Sequence, residues 1–221
     1  MNIEQARFNM IEQQIRPWDV LDGQVLSLLA IVRREDFVPA AYRALAFVDT
    51  ELPLAPGGAG GQVMLAPRVE ARLLQEAQVQ RHERVLEIGA GSGFMAALLA
   101  HRAQSVISLE RVPALAAMAT KHLRRAGVLN ASVREMDGSH GLPGEGPFDV
   151  ILLSGSLAEV PPLLLDQLKP GGRLLAIVGH EPMMRALRIT RLSDTAFKTD
   201  ELFDTVAPRL LGFAEPASFA L

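Results

Sequence analysis

Apolar runs alternate with stretches of helical periodicity from residue 84 to residue 179, and this alternation limits the possible folds more than any other feature. The runs read RVLEIG, SVISLE, ASVREMD, FDVILLS and RLLAIVG. Parallel strands that are buried on both faces carry apolar side chains on both faces, and the helices of βαβ crossovers cover them. The pattern therefore predicts an α/β fold with a doubly wound, Rossmann-like and mostly parallel sheet.

The segments on either side of this core have different periodicities. Residues 2–15 and 22–46 show helical spacing, with prolines as interruptions. Residues 52–67 collect four glycines and three prolines, which predicts a structured loop. After residue 180 the chain reads as strands joined by a turn. We therefore predict a single domain over residues 1–221, with a helical lead-in and loop (1–80), a core (81–180) and C-terminal antiparallel strands (181–221).

The 221-residue chain has 49% hydrophobic residues, a formal net charge of -3 and no cysteine. The absence of cysteine excludes a disulfide framework, a thiolate metal site and a cysteine nucleophile. No segment approaches the ~20 apolar residues of a membrane helix, and no strongly basic field indicates nucleic-acid binding. The histidines show no metal-ligand spacing: His82, His101, His122, His140 and His180. We expect a cytoplasmic monomer that binds no metal, nucleic acid or membrane.

The stretch VLEIGAGSGF, residues 85–94, ends a predicted strand in three glycines. No lysine follows them, which excludes the phosphate-binding loop of ATPases, and the third glycine comes one residue early for a dinucleotide fingerprint. The carboxylate of Glu87 would repel a pyrophosphate and would suit a cationic ligand. The stretch thus predicts a cofactor site formed by Glu87, Gly89, Ala90, Gly91, Ser92 and Gly93.

The E-x-G-x-G-x-G pattern resembles the glycine loop of class I S-adenosylmethionine-dependent methyltransferases, whose cofactor carries a positive sulfonium and no phosphate. Glu110 ends the next strand about 20 residues after the first glycine, the spacing at which a carboxylate meets ribose hydroxyls. Asp137 ends the third apolar run and precedes Gly138, where the resemblance implies contact with adenine. The resemblance implies S-adenosylmethionine as cofactor and S-adenosylhomocysteine as product.

The sequence offers no candidate for covalent or base catalysis at the methyl acceptor. The loop LLSGSLAEVPP after the fourth apolar run lacks the [DN]-P-P-[YF] motif of enzymes that methylate base amines in nucleic acids. Ser154 and Ser156 lack a G-x-S-x-G elbow. An ionised carboxylate is already a nucleophile at neutral pH, so positioning and desolvation can supply the catalysis. A carboxylate acceptor therefore accounts for the missing base.

Four segments, one of which is the glycine stretch, resemble protein-L-isoaspartate O-methyltransferases in content and order. They read MIEQQIRPWDVLDGQVL, VRREDFVPAAYRALAFVDTELPL, GGQVMLAP and VLEIGAGSGF, and the resemblance extends from about residue 9 to about residue 180. It implies methyl transfer to a carboxylate in protein repair. In that family the third segment reads G-Q-T-I-S-x-P and closes over the isoaspartyl residue. The matching residues here are Gly61, Gln62, Val63, Met64, Leu65, Ala66 and Pro67.

Two hydroxyl groups of the family's acceptor loop are replaced in this chain. The catalytic serine, which contacts the substrate carboxylate, falls on Leu65, and the threonine falls on Val63. Gly61, Gln62 and Met64 are the implied substrate-binding positions. The acceptor is accordingly a damaged protein or peptide, or a small molecule taken by a divergent relative. A cofactor-binding protein without turnover and an NAD-dependent oxidoreductase remain as alternatives.

Overall fold

The computed structural model describes residues 2–215, which form six α-helices and nine strands. The helices are α1 (Ile3–Met10), α2 (Gly23–Ile31), α3 (Pro67–Ala77), α4 (Phe94–Ala100), α5 (Pro113–Arg125) and α6 (Pro162–Leu165). The strands are β1 (Leu52–Pro53), β2 (Val63–Met64), β3 (Arg84–Ile88), β4 (Ser105–Glu110), β5 (Ala131–Glu135), β6 (Phe148–Leu157), β7 (Leu168–His180), β8 (Met183–Arg191) and β9 (Phe197–Thr205).

Seven strands form one sheet in the order β5-β4-β3-β6-β7-β8-β9. The pairs from β5 to β7 are parallel, and β8 is antiparallel to both of its neighbours. This confirms the predicted mostly parallel sheet with antiparallel C-terminal strands. β1 and β2 form a separate antiparallel ribbon in which Leu52 lies opposite Met64.

The strand order reverses between β3 and β6, because the chain first builds outward to β5 and then returns to the other side of β3. In open α/β sheets ligands bind at such a switch point, in the crevice beyond the carboxyl ends of the strands. The glycine stretch follows β3 directly, and Ser154 and Gly155 lie in the last half of β6. The topology therefore brings these two segments together at the expected crevice.

The sheet has an apolar core on each face. Successive residues of β6 alternate between the two cores: Val150 and Leu152 face one, and Ile151 and Leu153 face the other. The first core is covered by the N-terminal helices together with α3, α4 and α5, and the second by α6 and the segment before β6. Burial on both faces explains why the strands read as continuous apolar runs.

The N-terminal helical layer follows the predicted segments closely. α1 continues as a π-helical turn over Ile11–Ile15, and the carboxylate of Asp22 caps α2 by accepting from Gln24 N at 2.7 Å. The predicted helix around Pro39 consists of short 3-10 turns, Arg34–Asp36 and Ala40–Leu45. Proline removes a backbone donor and restricts the residue before it, so the helical pattern breaks there.

The stretch PPLLLDQLKPGG between β6 and β7 forms only one short helix. α6 covers only Pro162–Leu165, because β7 already begins at Leu168 to pair with Phe148 of β6. Residues 216–221 of the predicted C-terminal region lie outside the described residues. In the part of the chain that the structure describes, the helices are too short or too polar to span a bilayer.

Candidate active site

The glycine loop, residues 89–93, connects β3 to α4 by a tight turn over the end of β4. Gly89 N and Ala90 N donate to Leu109 O at 2.8 and 3.2 Å. Gly89 has a φ of +93°, and a Cβ there would lie 2.7 Å from Leu210 Cδ2. Gly93 has a φ of +83° and lies against the backbone of α5. Glycine is required at both positions by conformation and by space.

Glu110 lies at the end of β4 and holds the glycine loop. Its Oε2 accepts from Gly91 N at 2.8 Å and its Oε1 from Val112 N at 2.9 Å, and the residue is buried. The carboxylate also lines the cleft in front of the loop. The sequence predicted Glu110 only as a ligand contact. In the structure its carboxylate also fixes the backbone of Gly91.

Glu87 is fully buried beneath the loop and is held by two serine hydroxyls. Ser108 Oγ donates to its Oε2 at 2.5 Å and Ser154 Oγ to its Oε1 at 2.8 Å. Burial raises the pKa of Glu87 to about 8, although both hydroxyls oppose the rise. This differs from the expected negative charge in front of the loop, because a carboxyl with this pKa is mostly protonated at neutral pH. The apolar sheet on either side is the cause.

Asp137 and Gly138 lie beyond the end of β5, next to Glu110. Asp137 Oδ1 accepts from Ser139 N at 2.9 Å and Oδ2 pairs with Arg111 Nη1 at 3.1 Å. The Ser139 backbone hydrogen bond, followed by weaker contributions including Arg111, lowers the pKa of Asp137, which is therefore ionised. Gly138 lies against Ile88, whose Cγ2 is 2.5 Å from where a Cβ would be. The acidic residue predicted after the third apolar run therefore lies just beyond β5, where its carboxylate also stabilises the turn to Ser139.

The predicted acceptor segment, residues 61–65, lies across the cleft from the glycine loop. Gly61 is exposed, Gln62 O accepts from Leu54 N at 3.0 Å, and Met64 is buried in the ribbon. Val63 and Leu65 line the same cleft as Gly89 and Gly91. The loop before β2 turns through four glycines with φ between +67° and +80°. Both substituted positions thus face the space in front of the cofactor loop.

A buried ion pair holds this segment in place. Arg34 forms an ion pair with Glu70 of α3, and its Nη2 donates to Leu65 O at 2.8 Å. Its Nε donates to Ala46 O at 3.1 Å, and its side chain is almost completely buried. Sequence reasoning missed this residue, because its partners lie 12 to 36 positions away.

Four further residues lie in or next to the cleft, and the sequence analysis assigned none of them a role there. Ser154 follows the apolar run of β6 at the switch point, a position that could have marked it as a contact of the loop. Ser156 is fully buried and its Oγ donates to Ala207 O at 2.6 Å, so it is a structural hydroxyl. His122 of α5 contacts the glycine loop, with its Nδ1 2.9 Å from Ser92 O. Arg209 lines the cleft from the C-terminal segment, which carries no motif.

The arrangement fits a cofactor that carries a nucleoside and no phosphate. Glycines leave room beside the end of β3, and acidic side chains stand at the ends of β3, β4 and β5 in that order, with no lysine for a phosphate. This fold and site define a class I S-adenosylmethionine-dependent methyltransferase. The sequence model of the protein-L-isoaspartate(D-aspartate) O-methyltransferase family matches residues 5–206. The chain belongs to this family.

Individual relatives agree with the family match. The protein-L-isoaspartate O-methyltransferase of Koribacter versatilis (strain Ellin345) is 39% identical over 206 residues, which cover 93% of this chain and 90% of the relative. That of Methanoculleus marisnigri is 41% identical over 185 residues, covering 84% and 82%. The similarity thus covers most of this chain and most of each of the two relatives.

Solved structures show the same fold at lower identity. A protein-L-isoaspartate O-methyltransferase superposes with a TM-score of 0.77 at 23% identity, covering 93% of this chain and 66% of that one. A Plasmodium falciparum protein described as belonging to the same family, in complex with S-adenosyl-L-homocysteine, gives a TM-score of 0.73 at 21% identity. The match covers 94% of this chain and 97% of that one.

Proposed function

We propose that the protein methylates the free carboxyl group of L-isoaspartyl or D-aspartyl residues in damaged proteins and peptides. The single observation that carries the proposal is the shared cleft: the acceptor positions Val63 and Leu65 line the same space as the glycine loop and Glu110. Family membership supports the same reaction. The names of the relatives specify this substrate for those proteins.

The residues that would hold the cofactor lie at three adjacent strand ends. The glycine loop and Glu87 would lie along the methionine portion, Glu110 would accept from the ribose, and Asp137 with Gly138 would meet the adenine. When bound, S-adenosylmethionine supplies a methyl group on a sulfonium and leaves as S-adenosylhomocysteine.

The other residues of the cleft would position the carboxyl group of the acceptor. An aspartyl-type carboxyl is ionised at neutral pH and needs no base. Leu54, Val63 and Leu65 form an apolar wall that excludes water from this side of the cleft, and a dry, fixed geometry favours in-line displacement. We propose that the chain acts as a single-domain monomer in the cytoplasm, without nucleic acid.

The apolar surface of Leu54, Val63 and Leu65 also supports a second candidate function. Because Val63 and Leu65 present methyl groups where the family has hydroxyls, a less polar acceptor would be a better match for this surface. Such an enzyme would use the same cofactor residues and would discriminate against carboxylates.

A methyl-transfer assay distinguishes the two functions. The protein is incubated with radiolabelled S-adenosylmethionine and either an isoaspartyl peptide or its normal aspartyl counterpart. We expect slow transfer to the isoaspartyl peptide alone, since one donor to the carboxylate is missing. Transfer to neither peptide, by a protein that binds the cofactor, would exclude isoaspartyl methylation and favour the second candidate.

A further inference from the structure

The acceptor side of the cleft is poor in hydrogen-bond donors for an anion. Val63 and Leu65 contribute apolar side chains, the amide of Gln62 already donates to Gly60 O, and the hydroxyl of Ser154 is directed at Glu87. A carboxylate oxygen that loses its water without gaining a donor costs free energy. A carboxylate acceptor in this cleft therefore needs a donor from another element.

The C-terminal segment brings a cation, Arg209, into the wall of this cleft. The segment lies beside the end of β6, where Ser156 N donates to Pro208 O at 2.8 Å and Leu210 N donates to Ser156 O at 3.0 Å. Arg209 Nη1 donates to Ser156 Oγ at 3.1 Å, and 28% of the side chain is exposed. The guanidinium is thus fixed on one side and reachable on the other.

The sheet order places Arg209 on the side of the acceptor. The other arginine of the cleft, Arg111, follows β4 and pairs with Asp137 beyond β5, at the end assigned to the nucleoside. Arg209 lies beside β6, on the opposite side of β3 and its glycine loop. The two arginines therefore flank the loop, and only Arg209 shares its end of the cleft with β6.

A carboxylate of the chain itself contacts this guanidinium. Glu215 Oε1 lies 2.8 Å from Arg209 Nε, and half of the Glu215 side chain is exposed. The planar donors of arginine match the two oxygens of a carboxylate better than a lysine does. The ion pair with Glu215 shows that the guanidinium of Arg209 can accommodate a carboxylate at its partly exposed side.

We propose that Arg209 binds the carboxylate of the methyl acceptor, in place of the serine hydroxyl that is absent at position 65, and that Glu215 occupies the guanidinium until the acceptor binds. This inference rests on the proposed function, because it takes the acceptor to be an anion in this cleft. It makes Arg209 a specificity-determining residue, which selects a carboxylate over a neutral group of the same shape.

Peptide binding to the protein saturated with S-adenosylhomocysteine tests the proposal without turnover. The probes are an isoaspartyl peptide and its isoasparaginyl counterpart, in which an amide replaces the free carboxyl. We expect the wild type to prefer the isoaspartyl peptide at least tenfold, Arg209→Met to lose this preference, and Arg209→Lys to regain part of it. Arg16→Met, which removes an exposed arginine of the N-terminal layer, should behave as the wild type. Unchanged preference in folded Arg209→Met would overturn the assignment.

The role of Glu215 is tested in the same titration. Glu215→Ala should bind the isoaspartyl peptide several-fold more tightly than the wild type, because the internal carboxylate no longer competes. In the Arg209→Met background the same change should have no effect. Equal affinities of Glu215→Ala and the wild type would show that Glu215 does not occupy the acceptor position.

Methyl-transfer assays on the same proteins distinguish a failure of the Arg209 assignment from a failure of the proposed function. If the wild type methylates the isoaspartyl peptide and Arg209→Met binds that peptide with unchanged preference, isoaspartyl methylation is supported and the role of Arg209 is overturned. Binding that depends on Arg209 without any transfer supports Arg209 and overturns the proposed function. A wild type that binds neither peptide overturns both.

Discussion

Glu87 is a buried acid whose environment is set by two neighbouring strands. Ser108 on β4 and Ser154 on β6 both donate to it, so the side chain bridges the centre of the sheet directly below the glycine loop. Two neutral hydroxyls do not offset the loss of water around a carboxylate, and burial therefore raises its pKa to about 8. The proton on Glu87 is thus part of the folded state at neutral pH.

This proton makes stability depend on pH. The pKa rises from the ordinary 4.5 in the unfolded chain to about 8 in the folded protein. Between these values the folded state holds a proton that the unfolded state has released, so stability is full below the lower value and falls as pH rises through this window. Glu87→Gln mimics the protonated form and removes the dependence.

We expect the melting temperature of the wild type to fall more steeply from pH 5 to pH 8 than that of Glu87→Gln. The difference should be at least about 4 °C, since about 1 kcal/mol shifts the midpoint of a protein of this size by roughly 2–4 °C. Thermal denaturation across this pH range measures it, and contributions from other groups cancel in the comparison. Parallel curves for the two proteins would show that Glu87 is ionised when folded.

At the scale of elements, β2 and the residue after it determine what the acceptor meets. The ribbon with β1 fixes Val63 and Met64, and Arg34 holds the carbonyl of Leu65. Because these contacts use the backbone, side chains at positions 63 and 65 can change without moving the strand. The acceptor surface can therefore diverge while the cofactor loop stays the same.

Replacing both apolar side chains with the family's hydroxyls should increase activity. We expect Val63→Thr with Leu65→Ser to raise kcat/KM on an isoaspartyl peptide roughly tenfold or more, since a hydrogen bond to a charged group contributes about 1.5–3 kcal/mol. Steady-state methyl-transfer kinetics measure the change. Truncating the buried Leu65 should also lower the melting temperature, by the loss of packing. Loss of stability with no gain in kcat/KM would mean that Leu65 is only a core residue.

At the scale of the whole molecule, the parts predicted from sequence are those specified by local pattern. The strands β3, β4, β6 and β7 were predicted because burial on both faces gives continuous apolar runs, and the glycine loop because its conformation demands glycine. Arg209 was not predicted as a site residue, because its contact with Ser156 joins residues that are 53 positions apart. Glu87 was predicted as a site residue, but its raised pKa was not predicted, because its burial and its two serine partners arise only in the folded sheet.

The cofactor and acceptor residues lie at the same strand ends, so both proposals require that this crevice binds S-adenosylmethionine. The most direct test is calorimetric titration of the wild type and Glu110→Gln with S-adenosylhomocysteine. Glu135→Gln is the matched control, because Glu135 lies opposite Glu110 on β5 and its side chain is exposed. Melting curves establish that each variant is folded, since Glu110 also holds the glycine loop.

We predict binding by the wild type and by Glu135→Gln, and an affinity about ten- to a hundredfold lower for Glu110→Gln, because hydrogen bonds to a charged carboxylate are the stronger kind. A folded Glu110→Gln protein that binds S-adenosylhomocysteine as tightly as the wild type, or a wild type that does not bind it, would contradict the account.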